Sequence, residues 1–160
     1  MHDIMPISQT GYDKLKEELS ELEKEAVRVR QRVAEAREQG DLKENGEYIY
    51  GRQQLGFIEG RLAEIRGKLN FSKVIDCRQV SCDRADFGTV VTLCNLDNQQ
   101  TVVYHLLGPY DADVVDNGIS IKSPVGEALF GLAPGEKVEV NVPRGLIQYK
   151  LLDVKTADFS

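Results

Sequence analysis

Tryptophan is absent from this chain of 160 residues, histidine occurs twice and cysteine three times. Each scarcity closes a route. With only His2 and His105 available, a Ser-His-Asp or Cys-His centre has to use one of them. His2 lies beside the N-terminus, and His105 falls inside a strand-like pattern where a structural role is the simpler reading. Cys77, Cys82 and Cys94 are odd in number and nowhere spaced Cys-x-x-Cys, which speaks against a disulfide framework or zinc site and for reduced core residues. No glycine-rich phosphate loop and no His/Cys cluster is present. No apolar run approaches the roughly 20 residues that span a bilayer. The opening Met1-His2-Asp3-Ile4-Met5-Pro6 lacks the layout of a secretory signal, so a cytoplasmic protein without a membrane partner is expected. A formal charge of −6 leaves no general basic surface with which to grip nucleic acid. The chain is poorly equipped to be a self-contained enzyme.

What it does have is helix. Leu15, Leu19, Leu22, Ala26, Val29, Val33 and Ala36 recur at alternating spacings of four and three, with Glu, Lys, Arg and Gln between them. That is a heptad seam. Thr10, followed by Asp13, is expected to open the helix as a weak capping box. A helix over residues 10–39 is about 45 Å long at about 1.5 Å per residue. Gly40 then stands where a left-handed helix cap needs glycine. Tyr48, Gly51, Leu55, Ile58, Leu62, Ile65 and Leu69 form a second seam, and two seams joined by a short turn predict an antiparallel coiled-coil hairpin. Gly46, Gly51, Gly56, Gly60 and Gly67 each weaken the second helix by up to about 1 kcal/mol relative to alanine, and close helix approach accounts for only some of them.

The character changes after Phe71. Residues 1–80 hold 15 acidic and 14 basic side chains, residues 81–160 only 11 and 6. Strands are predicted at Lys73–Asp76, Thr89–Leu93, Thr101–Leu107, Ile119–Lys122, Lys137–Val142 and Leu146–Val154. A short helix from Ser123-Pro124 through Phe130 has serine as its cap and proline in its first turn. Pro134-Gly135 and Pro143-Arg144-Gly145 are turns. The expected class is α+β, with a hairpin over residues 1–75 and a small antiparallel-sheet domain with a short helix over residues 76–160.

Between the two seams lies Gly40-Asp41-Leu42-Lys43-Glu44-Asn45-Gly46-Glu47-Tyr48, with the hairpin tip at about residues 40–46. Asp41 and Glu44 stand three apart at the expected start of the second helix. Local pattern favours a capping box, with Asp41 as the cap and Glu44 reaching back. The competing reading is metal chemistry. Mg²⁺ prefers one or two carboxylates and keeps several waters, so this pair holds the ion poorly alone but could complete a shell that another protein supplies. Arg37, Lys43 and Arg52 lie near the same end and read either as phosphate contacts or as ordinary i,i+4 partners. Tyr48 is on the seam, whereas Tyr50 is off it and placed to stack on a base.

Ala34-Glu35-Ala36-Arg37-Glu38-Gln39-Gly40-Asp41-Leu42-Lys43-Glu44-Asn45, followed by Glu47-Tyr48, resembles the tip signature of the bacterial Gre transcript cleavage factors, and within them the GreA branch. The resemblance runs on through Thr10-Gly11-Tyr12-x-Lys14-Leu15, Val74-Ile75-Asp76, Phe87-Gly88, Ile119-Ser120-x-x-Ser123-Pro124-Val125-Gly126, Ala128-Leu129 and Pro143-x-Gly145, nearly the whole chain. Gly46 departs from it, standing where such tips usually carry alanine. The resemblance implies an FKBP-like C-terminal domain that docks on bacterial RNA polymerase at its secondary channel, and a hairpin that enters the channel. Asp41 and Glu44 would there help hold a second Mg²⁺, shared with the polymerase, and position a water, so that the polymerase cleaves the nascent RNA 3′ end of a backtracked complex. It further implies contact with RNA and DNA only inside that complex, no cofactor of the chain's own, and action as a monomer. Two alternatives stand beside it. One is a channel-binding inhibitor of the polymerase. The other is a prolyl isomerase, for which the lack of tryptophan gives little sign of an aromatic-lined proline pocket.

Overall fold

A computed structural model of the chain describes residues 3–39 and 45–157. These divide into two compact units, one of residues 13–70 and one combining the described residues up to Tyr12 with those from Phe71 onward. Compactness thus assigns the first residues to the sheet unit, whereas the sequence reading places its boundary between residues 75 and 76.

The helical unit is built from α1 (Gln9–Glu38), whose first turn belongs to the other unit, and α2 (Gly46–Asn70). The two seams meet as predicted. Ala26, Val29, Ile58 and Leu62 are buried together, with Leu19, Leu22, Val33 and Leu55 packed against them. Ion pairs flank this core from helix to helix: Arg61 to Glu18 at 2.6 Å, Arg66 to Glu23 at 3.1 Å and Arg30 to Glu59 at 3.4 Å. Hydrogen bonding to Glu18 and then Glu64 raises the Arg61 guanidinium above its ordinary value. The Arg66–Glu23 and Arg30–Glu59 pairs are solvent-exposed and contribute about 0–1 kcal/mol each, whereas Arg61–Glu18 is half-buried; all three serve to set register.

One of the five glycines has a packing reason. A Cβ on Gly51 would sit 2.8 Å from Cγ2 of Val33, so the helices touch there only because Gly51 lacks one. Gly46, Gly56, Gly60 and Gly67 would each meet nothing within 4 Å, and the structure offers no packing account of them.

The start of α1 differs from expectation. It opens at Gln9, and Ser8 is its cap: Ser8 Oγ accepts from Gly11 N at 3.1 Å, and Ser8 O accepts from Tyr12 N at 2.9 Å. The cap sits two residues before Thr10 because a distant partner holds it. Asp111, fully buried, accepts from both Ser8 N at 2.8 Å and Ser8 Oγ at 2.7 Å through Oδ2, and from Gly108 N at 2.8 Å through Oδ1. Gly11 completes the joint, since any Cβ there would run into the Asp111 side chain.

In the sheet unit, β1 (Met5–Ile7) and β2 (Ser72–Val74) pair in parallel, Met5 opposite Ser72. The main sheet has β3 (Thr89–Asn95), β4 (Thr101–Leu107), β5 (Gly118–Ser120), β6 (Lys137–Val142) and β7 (Gly145–Thr156), in the order β5-β4-β3-β7-β6. It is antiparallel except for the parallel pair β4–β5, a departure from the expected all-antiparallel sheet. A bulge shifts β7 against β3, so that Thr92 faces Asp153 while Leu93 faces Leu151. Leu152 is the extra residue, half turned to solvent, and the inward positions jump from Leu151 to Val154. The short helix α3 (Pro124–Leu129) is capped as expected, Ser123 Oγ accepting from Gly126 N at 3.1 Å, and its Leu129 enters the sheet core beside Val91, Leu93, Leu106 and Leu151. Of the cysteines, Cys77 is buried and Cys94 half-buried, but Cys82 is exposed rather than a core residue. Burial, with Asp111 and Asp76 nearby, pushes the Cys77 thiol up to about 11.

Candidate functional site

At the far end of the hairpin α1 closes with Arg37 in its last turn and α2 opens after Asn45. Asn45 is the cap of α2. Its Oδ1 accepts from Tyr48 N at 3.2 Å, three residues on, and its carbonyl accepts the first helical hydrogen bond, from Ile49 N at 3.1 Å. The cap of α2 is therefore Asn45; Asp41 and Glu44, to which local pattern gave a capping box, lie outside the described residues.

The Asn45 side chain does more than cap. Its Nδ2 donates to the Ala36 carbonyl at 2.7 Å, one of the last carbonyls of α1. One amide thus gives a second donor to a carbonyl that also accepts from Gln39 N at 3.2 Å, and serves an orphan donor at the start of the next helix. The two partners also fix its orientation, since exchanging oxygen and nitrogen would set donor against donor and acceptor against acceptor. Six residues into α2, Gly51 lies against Val33, so the helices are held together again within two turns of the brace.

The remaining predicted residues fall around this frame. Arg52 is in the second turn of α2, where Nη1 donates to Tyr48 Oη at 3.0 Å and the guanidinium carbon lies 5.8 Å from the ring centre. This is an i,i+4 partnership of the kind its spacing allowed. Arg37 is exposed. Asp41, Lys43 and Glu44 lie outside the described residues. Arg32, which the sequence reading passed over, lines with Gln39, Tyr50 and Gln54 an open groove of about 350 Å³ beside the helix ends. Tyr50 is 65% exposed there, off the seam as its position predicted. Among the described residues, no three His, Cys, Asp or Glu side chains are grouped so as to hold a metal ion, and no helix is long and apolar enough to cross a membrane.

Residues 5–74 match the family model described as transcription elongation factor, N-terminal, and residues 80–156 the one described as transcription elongation factor, GreA/GreB, C-term. The transcription elongation factor GreA of Desulfotalea psychrophila is 42% identical over 161 residues, covering 100% of each chain. That of Rickettsia prowazekii is 39% identical over 156 residues, covering 97% of this chain and 96% of its own. Among solved structures, GreA factor homolog 1 of Thermus thermophilus covers 96% of this chain and 99% of its own at 19% identity and a TM-score of 0.45. Two family models that between them span both units, and relatives of this identity along the full chain, place the protein plainly: it belongs to the GreA/GreB family of transcription elongation factors.

Proposed function

We propose that the chain is an accessory factor of bacterial RNA polymerase that acts in the cytoplasm, as a monomer, by lending carboxylates to the polymerase active centre. Residues 76–160 dock on the enzyme at its secondary channel, the hairpin enters, and Asp41 and Glu44 arrive at the site where the extruded RNA 3′ end lies. The observation that carries this reading is the cap of α2. Asn45 fills that position, so the capping of α2 makes no call on Asp41, which supports a role for it elsewhere. Reach supports it too, because the 30 residues of α1 extend about 45 Å.

The donor chemistry fits a shared ion rather than a resident one. Two carboxylates three residues apart suit Mg²⁺, which takes hard oxygen ligands and keeps several waters, but are too few to retain it alone. Mg²⁺, when bound between factor and polymerase, supplies charge stabilisation for phosphodiester hydrolysis. This chain's part is to orient: Asp41 and Glu44 present oxygens to the ion and to the attacking water, and Arg37, Lys43 and Arg52 contact phosphates of the RNA. Arg52 would do so from its place against Tyr48. Bond cleavage remains the polymerase's own, and nucleic acid is met only within the elongation complex.

The test is a stalled elongation complex with end-labelled nascent RNA and Mg²⁺. Wild-type protein shortens the RNA, whereas protein without polymerase leaves it intact. Asp41→Ala and Glu44→Ala lower the cleavage rate by at least the roughly 10–100-fold that even outer-shell partners of a metal site contribute, while polymerase binding survives. Full cleavage by Asp41→Ala refutes the role of the carboxylates. Wild-type protein that binds and blocks the enzyme without shortening RNA establishes a channel-binding inhibitor instead.

A further inference from the structure

We infer that Asn45 is a positioning residue for the cleavage carboxylates, acting through the bond from its Nδ2 to the Ala36 carbonyl rather than through its cap; this rests on the function proposed above. Ala36 and Asn45 are nine residues apart in sequence, yet one 2.7 Å hydrogen bond joins them. That bond ties the last turns of α1 to the residue before α2, the described positions on either side of the segment that carries Asp41 and Glu44. The Ala36 carbonyl keeps its bond from Gln39 N at 3.2 Å if the amide is removed, so what is lost is the tie to the start of α2. Within two turns of it the helices also approach closely where Gly51 lies against Val33. Catalysis that depends on placing oxygens within a few tenths of an ångström is sensitive to the anchor points of the segment that carries them.

The cap and the brace use different atoms of one side chain, and this makes them separable. Asn45→Ser keeps a good cap acceptor for Tyr48 N but is too short to reach Ala36. Asn45→Asp keeps the cap and sets a carboxylate oxygen against the carbonyl. Asn45→Ala loses both. With saturating factor in the stalled-complex assay, Asn45→Ser and Asn45→Asp are expected to cleave roughly three- to tenfold more slowly, the order that one hydrogen bond sets. Their half-saturating concentration and their helical circular dichroism should stay those of wild type. Wild-type rates for both variants overturn the inference and reduce Asn45 to a cap. So does a rise in half-saturating concentration with no change in maximal rate.

A second readout does not use activity. In ¹H–¹⁵N spectra of the free protein, the Asn45 side-chain amide protons should exchange slowly. The backbone amides of residues 41–44 should shift in Asn45→Ser while those in the middle of α1 stay in place. Fast exchange, or unmoved amides at 41–44, overturns the inference. Asp41→Ala run alongside separates the two ideas. If it cleaves like wild type, the proposed function fails, whereas a silent Asp41→Ala beside a fully active Asn45→Ser removes only the brace.

Discussion

The glycines of α2 provide a set of perturbations whose sign the structure decides. Replacing an interior helical glycine with alanine stabilises by about 0.5–1 kcal/mol, through backbone entropy and propensity, if the new methyl meets nothing. Gly56, Gly60 and Gly67 satisfy that condition. At Gly51 the methyl would lie 2.8 Å from Cγ2 of Val33, well inside ordinary carbon contact. Valine has one strongly preferred side-chain rotamer in a helix and cannot turn its methyl aside without strain. Overpacking of this kind costs about 1–3 kcal/mol, which exceeds the gain in propensity. Gly51→Ala is therefore expected to be neutral to destabilising by about 2 kcal/mol, while the triple substitution at the other three stabilises by about 2 kcal/mol. Urea titration followed by circular dichroism at 222 nm reads both. The double variant Gly51→Ala with Val33→Ala supplies the coupling, since removing the opposing methyls should return most of the penalty. Gly51→Ala stabilising by as much as Gly56→Ala would refute the reasoning, because it would mean that the helices do not touch at that level.

Asp111→Asn is expected to destabilise by about 2–3 kcal/mol: whichever way the amide sits, its NH₂ faces a backbone donor that the carboxylate had satisfied, and the loss is read as a lower urea midpoint. The pH dependence has a definite sign. Burial, outweighing the hydrogen bonds from Ser8 and Gly108, raises the Asp111 carboxyl above its ordinary value. Stability from this group is thus complete below the unfolded value near about 3.9 and declines as pH rises through the elevated folded one. Wild type should show that slope and Asp111→Asn should lack it; identical slopes refute the assignment. Thiol labelling at pH 8 should modify Cys82 first and leave Cys77, buried and pushed up to about 11, untouched until unfolding. Equal rates at the two positions would contradict the burial.

The long-period features of this fold were legible in the sequence. Two seven-residue patterns predicted the hairpin, and Ser123-Pro124 predicted α3, because each depends on neighbours within a turn or two. Features that depend on distant residues were not. Ser8 caps α1 because Asp111, 103 residues away, holds its side chain, and nothing near Thr10 signals that. The pair β1–β2 is three residues long, below the length at which alternation can be read. The break in the inward pattern of β7 comes from a bulge set by the register with β3. At the candidate site the sequence reading gave the cap to Asp41 and passed over Asn45, although local chemistry ranks aspartate and asparagine about equally there. The acceptor that decides between them, Ala36, lies on the preceding helix. Arg37 and Arg52 are described, while Asp41, Lys43 and Glu44 are not, so their roles rest on the sequence and the family.

Side-chain size along the seam sets the girth of the hairpin. Leucines fill it in the first half of α1, at Leu19 and Leu22, but towards the brace it is made of Val33, Ala36 and Gly51. Helix axes separated by small residues lie towards the lower end of the usual range of about 8–10 Å, and those separated by leucines towards the upper. A helix pair packed on small residues is expected to be slimmer at that level than at its leucines, which matters to anything that must pass an aperture. Bulk added at Gly51 would act as a gauge, barring entry to a narrow opening while leaving the acidic end chemically intact.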